Sequence, residues 1–252
     1  MLREQIKKII QEFITDFQVK HNVRSHWREP IVKFANADNP TFLQLKQLID
    51  KDHKLPNELL KNAETVISFF IPFKEEIVSS NSNGLIASRK WAEAYIITNK
   101  LIIGLTKHLT EMLGDYDCFE IPPTHNFDKI KLKSYWSHKH AAYIAGLGKF
   151  GVHKMLITEK GCCGRLGSLI TSAKIQPSER ILDEYCLYFL NESCSMCIDH
   201  CVFNALSGES FDRHKCYQIC LGNGKLYSKL GLSDICGKCA CGVPCSIKNP
   251  CI

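Results

Sequence analysis

The sequence has no apolar run long enough to cross a bilayer. Runs such as Val66–Ile71 and Leu101–Leu105 are a fraction of the roughly 20 residues a spanning helix needs. The N-terminal stretch MLREQIKKIIQEF has no uninterrupted apolar segment, so it does not read as a signal peptide. No internal repeat or low-complexity tract interrupts the chain. Residues 1–130 are poor in cysteine, with Cys118 alone. These absences argue against membrane insertion and secretion. The expectation is a cytoplasmic chain whose thiols stay reduced.

Cysteine is abundant elsewhere. The chain holds 14 cysteines in 252 residues, and 13 of them lie in residues 131–252. Charge follows the same division, with 17 basic and 17 acidic residues before position 131 and 15 basic against 9 acidic after it. At 45% hydrophobic and 23% charged, the composition is that of a globular protein with one main core and room for a satellite.

The apolar pattern predicts an ordered first part. Leu2, Ile6, Ile9, Ile10, Phe13 and Phe17 fall at helical spacing, which predicts a surface helix over Met1–Phe17. Asn39-Pro40-Thr41 stops one element and starts a helix near Phe42–Asp50. The β-branched and aromatic run Thr65–Phe73 predicts a buried strand. A turn over Ser79–Gly84 and a long buried helix over Ser88–Leu113 follow. After Pro122-Pro123 come a helical stretch at His138–Ala145, a glycine-rich turn at Gly146–Gly151 and a strand at Lys154–Thr158. A loop at Gly161–Gly167 and a strand at Ser168–Ala173 close this part. Strands and helices that alternate predict a layered α/β platform over residues 1–175. Residues 176–252 break into short segments between cysteines, as expected where bonds to metal replace a hydrophobic core.

The spacing there is Cys186-x7-Cys194-x2-Cys197-x3-Cys201, then Cys216, then Cys236-x2-Cys239-x5-Cys245. Zinc would use two Cys-x2-Cys pairs, Cys194/Cys197 and Cys236/Cys239, and would leave four of these eight cysteines without a role. Two 4Fe–4S clusters would use all eight. Cys-x2-Cys-x3-Cys also matches the last three cysteines of the bacterial ferredoxin run, in which the final one ligates the other cluster. Asn191 stands where the first cysteine of that run belongs, and Val202 where its proline belongs. On spacing alone, clusters, zinc and disulfides all remain open.

The stretch SHKHAAYIAGLGKFGVHKMLITEKGCCGRLGS, residues Ser137–Ser168, together with the downstream cysteines resembles the epoxyqueuosine reductase family. Its members are cobalamin-dependent iron–sulfur enzymes related to reductive dehalogenases. The resemblance covers residues 135–250 well and the first half loosely. It implies that Cys186, Cys194, Cys197 and Cys245 hold one 4Fe–4S cluster, and that Cys201, Cys216, Cys236 and Cys239 hold the other. Residues 176–252 would then form a ferredoxin-like module. Cys220, Cys241 and Cys251 are left as second-choice ligands, and Cys241 is the strongest competitor because it lies between Cys239 and Cys245. The resemblance further implies a corrinoid against the platform, contacted by Gly146, Gly148, Lys149, Phe150 and above all His153. Reduced flavodoxin or ferredoxin would donate the electrons. The chain departs from the family at Leu132, where the family has an acid thought to protonate the substrate, and the family's C-terminal extension has no counterpart after Ile252. The outcome is either a short, divergent reductase or a ferredoxin-like electron carrier without substrate chemistry of its own.

Other signals carry less. Gly146-x-Gly148-x-x-Gly151 satisfies the dinucleotide pattern, but a helix precedes it and a strand follows, the reverse of the NAD-binding order. His138 and His140 read as ordinary core or surface histidines. His200, between Cys197 and Cys201, reads equally as a hydrogen-bond donor to a cluster sulfur or as a solvated helix residue. Cys162-Cys163 read as structural thiols. A tRNA partner is not favoured: two clusters at about −2 each offset most of the basic excess, and Lys129-x-Lys131-x-Lys133 is a short run for a nucleic-acid patch.

Overall fold

A computed structural model describes residues 2–23, 26–123 and 127–252. Helix α1, Leu2–His21, presents Ile6, Ile10 and Ile14 one turn apart, and all three are buried. Met1, placed in this helix by the sequence pattern, lies outside the described residues. Strand β1, Ile31–Asn36, leads to α2, Pro40–Leu48, and the short α3, Pro56–Leu59. Asn39 caps α2 as its pattern predicts: its side chain accepts from Thr41 N–H at 3.0 Å while Pro40 fills the first turn. Strand β2, Thr65–Pro72, is followed by α4, Glu75–Ser80, and α5, Arg89–Met112. Ser88 caps α5 through Trp91 N–H at 3.1 Å.

Then come β3 (Cys118–Glu120), α6 (His138–Ile144), β4 (Gly148–Phe150), β5 (Leu156–Thr158) and β6 (Gly164–Thr171). The main sheet has the order β1-β2-β6-β3 and every pairing in it is antiparallel, while β4 and β5 form a separate hairpin. All eight residues of β2 are buried because the sheet is covered on both faces. Ile67, Phe69 and Ile71 join the isoleucines of α1 and Leu101, Leu105 and Leu109 of α5. Val66 on the opposite face meets Trp136, Ala141 and Ala145. The architecture is mixed α/β in three layers. Truncating a residue such as Phe69 to Ala costs about 3–5 kcal/mol.

Two boundaries differ from the sequence pattern. Gly164–Gly167 is the first half of β6, not a loop, since β2 supplies a paired partner from Pro72↔Gly164 onward. Gly148–Phe150 is a strand within the expected turn, held by pairing with Leu156–Thr158. Strands β1 and β3 carry too little apolar alternation to have been singled out.

Residues 176–252 contain α7 (Leu187–Asn191), α8 (Met196–Asp199) and α9 (Arg213–Leu226). Polar side chains attach this part to the sheet layers. Arg28 donates to the carbonyls of Phe73, Lys160 and Ile247 at 2.6–2.9 Å. Asn81 donates to Cys236 O at 2.9 Å, and the buried Lys238 donates to the carbonyls of Asn81 and Asn83 at 3.0 and 2.6 Å. Cys186, Cys197 and Cys241 lie in the same continuous core as Trp91 of α5.

Candidate iron–sulfur site

Cys186 immediately precedes α7, Cys194 and Cys197 flank the start of α8, and Cys245 lies in a turn closed by Ser246 N–H to Val243 O at 2.9 Å. These four cysteines line one hollow, whose remaining wall includes Val152, Ile157, Leu187, Val243, Pro244 and His153. Among the described residues, no carboxylate lines it. Burial, followed by the neighbouring Cys245, Cys186 and Cys194, pushes the Cys197 thiol up to about 12. Thiols gathered in an apolar hollow suit a metal group that takes their protons' place.

Cys201, Cys216, Cys236 and Cys239 lie near enough to influence one another, and Cys197 also reaches Cys239. Burial and then Cys236, Cys216 and Cys201 raise the Cys239 thiol, and burial raises Cys236, with Cys216 and Cys201 adding to it. Four thiolates around a single zinc would approach to roughly 3.8 Å, as Zn–S bonds of about 2.3 Å dictate. Among the described residues, three ligand atoms come within 4.8 Å of one another only at His153, Cys162 and Cys245. All fourteen cysteines are described, and all are free thiols.

The surplus cysteines have their own places. The Cys241 and Cys163 sulfurs are 3.8 Å apart, and Asn81 Nδ2 donates to Cys241 at 3.4 Å. Cys220 is paired with Cys216, which lowers the Cys216 thiol and raises that of Cys220. Cys162 contacts Cys245 and raises its thiol. Cys251 N–H donates to Asn249 Oδ1 at 2.9 Å.

The glycine run shows where its missing side chains matter. A Cβ on Gly146 would meet Glu179 O at 2.3 Å, and one on Gly148 would meet Ile157 O at 2.0 Å. Those close approaches are made by the chain's own backbone. Lys149 and Phe150 are half-buried on β4, and the Phe150 ring is 4.9 Å from His140. His138 is a core residue: Trp136 Nε1–H donates to Ser168 Oγ at 3.0 Å, Ser168 pairs with His138 Nδ1 at 2.7 Å, and His138 Nε2 pairs with Pro122 O at 3.1 Å. His200 lies with Nδ1 3.2 Å from Cys241 O.

Two cations near Cys236 and Cys239 escaped the sequence pattern. Lys238 is 2% exposed, and Cys236 and Cys241 offset the burial that lowers its pKa. Lys139 donates to Lys154 O at 3.0 Å, and its ammonium faces Cys239 and Cys216. Lys238 had one visible signal, its place between Cys236 and Cys239. Lys139 had none. At the family's acid position, Leu132 has φ +51° in a loop closed by Asp128 N–H to Lys133 O at 2.9 Å. The nearby carboxylates are engaged: Asp128 accepts from Ile130 and Lys131 N–H, and Asp50 pairs with Lys133 at 2.7 Å.

No family model matches the chain, and no curated protein sequence does. Solved structures do match it. The epoxyqueuosine reductase of Streptococcus thermophilus is 18% identical, with a TM-score of 0.55 over 94% of this chain and 67% of that one. The Bacillus subtilis enzyme is 15% identical, with a TM-score of 0.55 over 94% and 66%. An epoxyqueuosine reductase bound to a tRNA stem loop is 14% identical, with a TM-score of 0.54 over 91% and 64%. The chain thus spans about two thirds of the length of these proteins. Its fold is that of the epoxyqueuosine reductases.

Proposed function

We propose that the chain is a cytoplasmic iron–sulfur reductase of the epoxyqueuosine reductase type, with two 4Fe–4S clusters and a bound cobalamin, served by reduced flavodoxin or ferredoxin. The observation that carries this reading is the convergence of Cys186, Cys194, Cys197 and Cys245 on one apolar hollow, in a chain with that fold. These four would hold one cluster and Cys201, Cys216, Cys236 and Cys239 the other, in a ferredoxin-like module over residues 176–252. When bound, the clusters supply one-electron storage and the corrinoid cobalt supplies the reductive chemistry.

The chain's own residues have definable tasks. The thiolates anchor the inorganic groups, and Val152, Ile157, Leu187 and Val243 keep water from the first of them. Lys238 and Lys139 offset negative charge at the second. The fit for cobalamin is weaker, because the bare faces of Gly146 and Gly148 are filled by Glu179 and Ile157 backbone. The corrinoid rests on the fold and on the resemblance of the glycine run. tRNA is not part of the proposal: the stem loop belongs to the neighbour, and Lys133 of the short basic run is paired with Asp50.

A second reading, an electron carrier that serves another corrinoid protein, is favoured by Leu132, which places an alkyl side chain where the family has an acid. Anaerobic protein titrated with cobalamin separates the two. A saturable change in the cobalamin spectrum supports the reductase. An unchanged spectrum over iron-loaded protein overturns it in favour of the carrier.

A further inference from the structure

The loop of the β4–β5 hairpin closes through Gly151 N–H to Met155 O and Lys154 N–H to Gly151 O, both at 2.9 Å. His153 turns inward from this loop and is 4% exposed. A Cβ on Gly151 would lie 2.6 Å from His153 Cε1, so the ring has its seat because residue 151 has no side chain. Met155 N–H donates to His153 Nδ1 at 3.2 Å. A backbone amide can only donate, so Nδ1 accepts and the neutral ring carries its proton on Nε2. Nε2 is 3.4 Å from the Cys245 sulfur. Cys245 is equally fixed, with its carbonyl accepting from Cys162 N–H at 2.9 Å.

Resting on the reading of Cys245 as a cluster ligand, we infer that His153 is a positioning residue that donates its Nε2–H to the ligating sulfur of Cys245 and raises the reduction potential of that cluster. One-electron reduction adds negative charge that the cluster spreads over its sulfurs. An N–H aimed at one of them stabilises the reduced form more than the oxidised form. The competing chemistry is a mononuclear ion held by His153, Cys162 and Cys245, whose ligand atoms lie within 4.8 Å of one another. The tautomer opposes it: a metal on Nε2 would send the ring proton to Nδ1, where it would point at the Met155 N–H.

The test is an EPR-monitored redox titration of the full, anaerobically loaded chain, with iron and sulfide counted alongside. In His153→Leu, iron content holds and the reduction equilibrium of this cluster shifts about tenfold toward the oxidised form, about 59 mV lower for one electron. The other cluster does not move. His153→Gln, whose amide N–H reaches toward the same sulfur, recovers most of the shift. An unmoved midpoint in the Leu variant, or equal shifts in both variants, overturns the role of His153. If the Leu variant loses iron, pulsed EPR of the reduced wild-type chain labelled with 15N-histidine decides: a 15N coupling that vanishes in His153→Gln supports the contact, and no coupling overturns it. A wild-type chain that binds a lone metal ion without sulfide instead overturns the cluster reading beneath it.

Discussion

The sulfurs of Cys163 and Cys241 lie 3.8 Å apart, joining residues 78 positions apart in the chain. The contact turns Cys241 toward the sheet layers and away from the hollow lined by Cys186, Cys194, Cys197 and Cys245. Cys241→Ala is therefore expected to keep the full iron and sulfide content. Its cost should be packing alone, about 1–2 kcal/mol from the loss of one fully buried sulfur. Loss of iron in this variant would return Cys241 to the ligand set.

Cys197→Ala should behave differently. Iron content is expected to fall by about half, with loss of the corresponding visible absorbance. Protease should then cut residues 176–252 faster, since ligation supports a region with little core of its own. Unchanged iron with unchanged protease resistance would contradict the grouping.

The buried His138 predicts an acid-side loss of stability. Burial pushes its pKa down to about 4 from an ordinary value of 6.5. The unfolded chain therefore binds a proton in that window that the folded chain refuses. The stabilisation, roughly 3 kcal/mol, is whole above pH 6.5 and declines as pH falls toward 4. His140, His26 and His53 shift in the same direction, so the comparison is between wild type and His138→Gln. The variant should show a shallower fall in the urea midpoint between pH 6.5 and 4.5, and an identical slope would refute the assignment.

Lys133 holds Asp50 down to about 2 through a hydrogen bond, with Asp52 N–H adding to it. This ion pair ties the Asp128–Lys133 loop, which contains Leu132, to the end of α2. The folded carboxyl titrates below its unfolded value, so its contribution is present above about pH 4 and disappears as pH falls to about 2. NMR titration of the Asp50 carboxyl should return to the ordinary aspartate range in Lys133→Met. A value that stays low would show that the backbone, not Lys133, sets it.

Much of the platform was legible in the sequence because its signals are local. Thr65–Phe73 is rich in β-branched and aromatic residues, and α5 begins at the serine that caps it. The first half of β6 was hidden by Gly164 and Gly167, whose strand conformation comes from pairing with β2 rather than from propensity. The two proposed cysteine sets rest on resemblance, since spacing along the chain says little about which thiols converge. Spacing could not reveal that Cys163 takes up Cys241, that Met155 selects the His153 tautomer, or that Lys139 reaches Cys239. Each of these depends on contacts made between distant segments.

Two inorganic cubes are proposed to hold residues 176–252 in place. Anaerobic purification followed by counting iron and acid-labile sulfide per chain tests it most directly. About eight of each are expected. One zinc per chain with no sulfide would contradict it.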